Sequence, residues 1–308
     1  MNDHVLVLGA GGFIGQHLVR ALADDGRKVF AVSRRHIDFS NKNVEQIVEE
    51  LDQPSQYLSL LRKCSAVVHL ASGSTPGSSA GNAMAELQNN LQPTFALLQA
   101  LQGHPNIPLL YLSSGGSLYA DTQDELATEA TPVDPRSYHG AGKLAAEHFI
   151  SARCKQFGGA ATILRPSNIY GPGQVERTGF GIIPATFGKI TRGEYLTVWG
   201  DGSTVRDYLY IDDFIALCMR VLSTPMPPGT HIVNASSATG TSLNDLFSAV
   251  ENVSGQALKR HYEASRQVDA LQVVVDNALA KKYYDWAPVT PLQEGLRRTW
   301  EWFSTTQH

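Results

Sequence analysis

The chain has 308 residues, room for one large or two modest domains at roughly 150 residues each. Hydrophobic residues make up 43% and charged residues 18%, which excludes a disordered chain. Its 25 basic and 29 acidic residues give a formal charge of −4, which excludes a protein that coats nucleic acid. Three widely spaced cysteines, Cys64, Cys154 and Cys218, make neither a disulfide framework nor a zinc site, and no metal is expected. No apolar run approaches the roughly 18 residues of a membrane span, and the N-terminus runs into an apolar strand at Val5 without a signal-peptide pattern. These features predict a cytoplasmic protein without a membrane partner.

Short apolar runs alternate with helical patterns through the first half. Val5–Leu8 reads as a strand, Phe13 to about Ala23 as a helix, Lys28–Ser33 as a second strand and Ala66–Leu70 as a third. A long helical pattern from about Asn82 to Leu101 follows, broken only by Pro93. Leu109–Ser113 is the fourth strand, Leu144–Phe157 lies in a helix and Ala161–Arg165 is the fifth strand. Strands apolar throughout and separated by helices predict an α/β, Rossmann-type, doubly wound parallel sheet. After Arg165 glycines and prolines cluster, and the strand-like runs Asp207–Ile211 and Thr230–Val233 are expected to return to that sheet. A last helix opens near Pro291. The expected division is a dinucleotide domain, 1–166 with 207–235, and a smaller interleaved C-terminal substrate domain, 167–206 with 236–308.

Gly9, Gly12 and Gly15 stand between the first strand and the first helix at a spacing of three and three. Residues without Cβ let backbone amides approach a pyrophosphate at the helix N-terminus. At the end of the second strand, where an NAD site carries a carboxylate for the ribose 2′-hydroxyl, the chain reads Ser33-Arg34-Arg35. Two guanidiniums there suit a 2′-phosphate, so NADP is expected ahead of NAD; the alternative is two solvated loop arginines.

Longer motifs carry a resemblance. They are Val7–Gly15 (VLGAGGFIG), Val67–Ser72 (VVHLAS), Leu112–Tyr119 (LSSGGSLY), Leu164–Gly173 (LRPSNIYGPG) and Trp199–Asp213 (WGDGSTVRDYLYIDD). On these the chain resembles the extended short-chain dehydrogenase/reductase family, in its nucleotide-sugar epimerase/dehydratase group typified by UDP-glucose 4-epimerase. The resemblance implies that Phe13, Ile14, Leu70, Ala71, Ser113 and Pro166 also border the cofactor. It further implies that Asn168, Arg206, Arg266 and Asp269 contact a nucleotide-diphosphate sugar, with a UDP-sugar expected first. A homodimer is implied, through the helices beginning near Asn82 and Lys143.

The family's acid/base pair is a Tyr four residues before a Lys, one helical turn apart. Lys143 fits the Lys, but His139 stands in the Tyr position and Tyr138 is one place too early. The helper hydroxyl expected four residues before Tyr119 is Gly115, leaving Ser114 and Ser117 as substitutes. Three readings stay open: His139 is the general base, an irregular helix start brings in Tyr138, or the protein binds its ligands without turnover. The working expectation is a UDP-hexose 4-epimerase-like enzyme acting through a 4-keto sugar. The alternatives are an NADP-dependent 4-ketosugar reductase and a silent binding protein. Glu129, on the loop before the active-site helix, reads as solvent-exposed, with a substrate-facing position as the alternative.

Overall fold

The structure, a computed structural model, describes residues 3–75, 81–122, 125–177, 181–265 and 270–306. In chain order the first half runs β1 (His4–Leu8), α1 (Phe13–Asp24), β2 (Lys28–Ser33), β3 (Val44–Val48), α2 (Pro54–Leu61) and β4 (Cys64–His69). It continues with α3 (Ala83–Glu86), a π-helical turn (Leu87–Leu91), α4 (Gln92–Leu101), β5 (Leu109–Leu112), α5 (Gly115–Leu118), α6 (Tyr138–Phe157) and β6 (Ala160–Pro166). The second half holds β7 (Asn168–Tyr170), α7 (Ile182–Arg192), β8 (Tyr195–Trp199), β9 (Val205–Tyr210), α8 (Ile211–Ser223) and β10 (Gly229–Ala235). Last come β11 (Gly240–Ser242), α9 (Leu243–Ser254), β12 (Lys259–Glu263), β13 (Gln272–Val273), α10 (Ala278–Tyr284) and α11 (Leu292–Thr306).

Seven strands form one parallel sheet in the order β10-β6-β5-β4-β1-β2-β3. The expected doubly wound sheet is therefore present. Alternation along β1 shows how both faces are filled. Val5 and Val7 join one core with Leu18, Leu22 and Phe214, while Leu6 and Leu8 join the other with Phe30, Leu97 and Ile150. Strand order reverses between β1 and β4, and a crevice opens beyond the strands' carboxyl ends at such a switch point.

The two late strands behave differently. The run Thr230–Val233 lies in β10, which extends the central sheet by pairing with β6 from Gly229–Ala160 to Ala235–Pro166. The run Asp207–Ile211 does not return to that sheet. Its strand, β9, pairs with β7, β11 and β13 in a separate small sheet, since an apolar run alone does not select the sheet it joins.

The long helix expected from Asn82 to Leu101 is interrupted. Pro93 has no N–H to offer the carbonyl of Asn89 four residues back, and the chain widens just before it. The Gln92 N–H reaches Leu87 O, five residues back. Cys64, Cys154 and Cys218 are buried free thiols. No helix among the described residues is long and apolar enough to cross a membrane.

Candidate active site

The turn from β1 to α1 closes only with glycine. A Cβ at Gly9 would lie 2.7 Å from Ala71 N, and one at Gly15 would lie 2.1 Å from Gly9 O. Leu70 and Ala71, at the end of β4, thus wall the turn. Gly12 is the N-cap of α1; no side chain caps the helix and its first turn carries no acidic residue. The free amide ends around Phe13, Ile14 and Gly15 make an anion site, and these residues fit the pyrophosphate of a dinucleotide.

At the end of β2, Ser33 is buried over this turn, its Cβ 3.1 Å from where a Gly11 Cβ would stand. Its hydroxyl donates to Arg35 O at 2.7 Å and accepts from Gln46 Nε2 at 3.2 Å. Arg34 and Arg35 are exposed, and neither side chain bonds another described residue.

Helix α6 begins regularly. Ser137 is extended and its hydroxyl accepts from Gly140 N at 3.1 Å. A Cβ at Gly140 would lie 2.5 Å from Ser117 O, so the first turn presses against α5. From this start His139 and Lys143 share the inner face, 8% and 6% exposed, while Tyr138 is 48% exposed. The structure therefore brings His139 together with Lys143 and leaves Tyr138 outside.

Lys143 Nζ donates to Leu112 O at 2.7 Å, at the end of β5, and lies 4.9 Å from the Tyr111 ring centroid. Burial lowers its pKa to about 8, against the opposing pull of Glu86 and Glu147. Burial, helped by the Lys143 charge, lowers the His139 pKa to about 4. His139 is thus neutral at physiological pH and able to accept a proton.

On α5, Ser114 is the N-cap, accepting from Ser117 N at 3.2 Å. Gly115 presses on the end of β6, where a Cβ would come within 3.1 Å of Pro166 O. Ser113 donates to Glu147 Oε1 at 2.5 Å. Glu147 also takes both Nε and Nη2 of Arg165, whose Nη1 donates to Tyr119 Oη. Tyr119 donates to Asn234 Oδ1 at 2.7 Å, and Asn234 N donates to Glu129 Oε1 at 2.7 Å. Glu129 is therefore a structural acceptor rather than a solvent-facing residue.

Among the substrate candidates, Asn168 on β7 donates to Asp207 O at 2.8 Å, and its amide stands above Gly116. Arg206 on β9 donates to Val205 O and Ala270 O, each at 2.8 Å. Arg266 and Asp269 lie outside the described residues.

Glu86, Ser74 and Asn90, all close to His139, escape a reading of the sequence. A glutamate at a helix end reads as solvated, yet Glu86 is 4% exposed. The signal is indirect: a Cβ at Gly142 would lie 2.3 Å from Glu86 Oε1, so the glycine leaves space for the carboxylate.

The fold and the glycine turn are those of a Rossmann-type, doubly wound scaffold. The model of the NAD dependent epimerase/dehydratase family matches residues 5–235, and the chain belongs to that family. A UDP-glucose 4-epimerase from Thermotoga maritima, solved with UDP-glucose, superposes with a TM-score of 0.91 at 25% identity, covering 99% of this chain and 100% of that one. A UDP-glucuronic acid 4-epimerase from Bacillus cereus, solved with UDP-glucuronic acid and NAD, gives 0.89 at 25% identity, covering 98% and 99%. A dTDP-4-dehydro-6-deoxy-D-allose reductase from a Streptomyces species is 28% identical over 97% of this chain and 95% of its own.

Proposed function

We infer that the protein is a cytoplasmic nucleotide-sugar 4-epimerase acting on a UDP-hexose through a 4-keto sugar. The observation that carries this reading is the buried His139–Lys143 pair, one helical turn apart with Lys143 anchored on Leu112 O at the crevice. The glycine turn with Leu70 and Ala71 is assigned the dinucleotide, and Lys143 its nicotinamide ribose. When bound, the nicotinamide would supply reversible hydride transfer. His139 takes the proton of the sugar hydroxyl as it is oxidised and gives it back to the ketone oxygen. Asn168 and Arg206, with Arg266 and Asp269, are assigned the sugar and its diphosphate, within a substrate portion of 167–206 and 236–308.

The bound neighbour holds NAD, which supports NAD as cofactor. The exposed Arg34 and Arg35 favour a second reading, an NADP-dependent 4-ketosugar reductase. Exposed Met84, Leu87 and Phe149 on the α3–α4 segment and α6 support pairing of these helices in a homodimer, which light scattering tests.

The deciding experiment incubates the protein with UDP-galactose and either NAD⁺ or NADP⁺ and resolves the 4-epimers, with His139→Tyr alongside. Wild-type product is expected. Activity should fall as pH drops towards about 4, where His139 takes a proton, and above about 8, where Lys143 loses one. Product from His139→Tyr alone would show a binding scaffold that has lost its acid/base. No product from either, with NADPH oxidation on a 4-ketosugar, would select the reductase.

A further inference from the structure

A tyrosine takes and returns a proton at one oxygen, but a neutral histidine has two nitrogens, and only the one without the proton is a base. A histidine in this position therefore needs its tautomer set. His139 Nδ1 lies 3.0 Å from Ser74 Oγ, and the same oxygen is 2.5 Å from Glu86 Oε2 and 2.7 Å from Asn90 Nδ2.

A hydroxyl has one proton and two lone pairs, so three neighbours leave few arrangements. The Asn90 amide is oriented by Gly73 N, which donates to Asn90 Oδ1 at 2.7 Å. Its NH₂ group thus faces Ser74 and occupies one lone pair. An ionised carboxylate only accepts, so the Ser74 proton goes to Glu86 and the second lone pair accepts from Nδ1–H. The ring's own lone pair is then on Nε2. The other satisfied arrangement reverses both bonds and needs an extra proton on Glu86, whose charge faces that of Lys143.

We propose that Glu86, acting through Ser74, is a positioning residue that holds His139 in its Nδ1-protonated tautomer, which leaves the basic lone pair of the ring on Nε2. This rests on the reading of His139 as the proton-transferring group. Three segments converge on the arrangement: the loop after β4 brings Ser74, the turn into the π-helix brings Glu86 and Asn90, and α6 brings His139. Gly142 leaves the carboxylate its space.

The test is ¹⁵N-histidine NMR at neutral pH, with the His139 signals identified by their loss in His139→Gln, combined with kinetics of Ser74→Ala, Ser74→Thr and Glu86→Gln. The wild type should show the Nδ1-protonated pattern. Ser74→Ala should lose it and lower kcat roughly 10- to 100-fold with KM little changed, as removal of a group that orients an imidazole does. Ser74→Thr, which keeps the hydroxyl, should restore both. Glu86→Gln should mix the tautomers, because an amide presents either oxygen or NH₂ to Ser74. An Nε2-protonated wild type, or a Ser74→Ala protein with unchanged tautomer and kcat, would overturn the proposal. If the tautomer responds as expected but the wild type makes no epimer, the relay stands and the reaction assigned to it falls.

Discussion

Two buried carboxylates, Glu86 and Glu147, both act on the charge of Lys143, yet they are held in opposite ways. Glu147 is bound by Arg165 through two nitrogens, at 3.0 and 2.6 Å, and by Ser113 at 2.5 Å, so both its oxygens are occupied. Glu86 has Ser74 on Oε2, while Oε1 is buried without a hydrogen-bond partner among the described residues. A carboxylate gripped by a bidentate guanidinium is committed to the fold. One held by a single hydroxyl that also touches a histidine keeps the capacity to influence chemistry. The contrast teaches that burial alone does not separate structural from functional acids; the partner set does.

Three measurements break or sharpen this contrast. The largest effect is expected from Glu147→Ala, which leaves Arg165 buried without its counter-charge. Loss of one partner of such a pair costs about 3–5 kcal/mol, and urea unfolding should show it. Glu86→Ala should cost much less stability and should act on turnover instead.

Next is the pH dependence of stability. His139 is held neutral, with a folded pKa of about 4 against 6.5 for the free side chain. Its stabilisation is therefore present above about pH 6.5, where both states are neutral, and declines as pH falls to about 4, because the unfolded chain binds the proton first. Protonation of the unfolded chain across this window corresponds to about 3 kcal/mol. His139→Gln should flatten the wild-type slope in that window by this amount, leaving the part due to His69, which burial also holds neutral. Equal slopes would place His139 in a wetter environment.

The smallest effect is expected at Gly142. An alanine there pushes on Glu86 Oε1, displacing the carboxylate from Ser74. Turnover should drop about 10-fold, near the lower end of what loss of an orienting group costs. A silent substitution would mean that Glu86 does not need its place.

Much of the fold was legible because the central strands are buried on both faces and read as apolar runs. Val44–Val48 was not, because this edge strand is only half buried and carries Glu45 and Gln46. The strand at Asp207–Ile211 was visible but misplaced, since an apolar run does not say which sheet it joins. That His139 and Lys143 share one buried helix face was legible from their spacing of four. Ser74 and Glu86 were not, because their role comes from residues brought together by the loop after β4 and by the widened turn that Pro93 enforces.

Gly142 also bears on how the chain can drift over generations. Any side chain at that position overlaps the Glu86 carboxylate, and overpacking costs about 1–3 kcal/mol. A larger residue fits without displacing the carboxylate only where Glu86 is shortened, and shortening Glu86 removes the group that orients His139. The substitutions therefore have an order, and the first step in it already weakens the site. A lineage that keeps His139 in use is therefore expected to keep glycine at 142 and glutamate at 86 together.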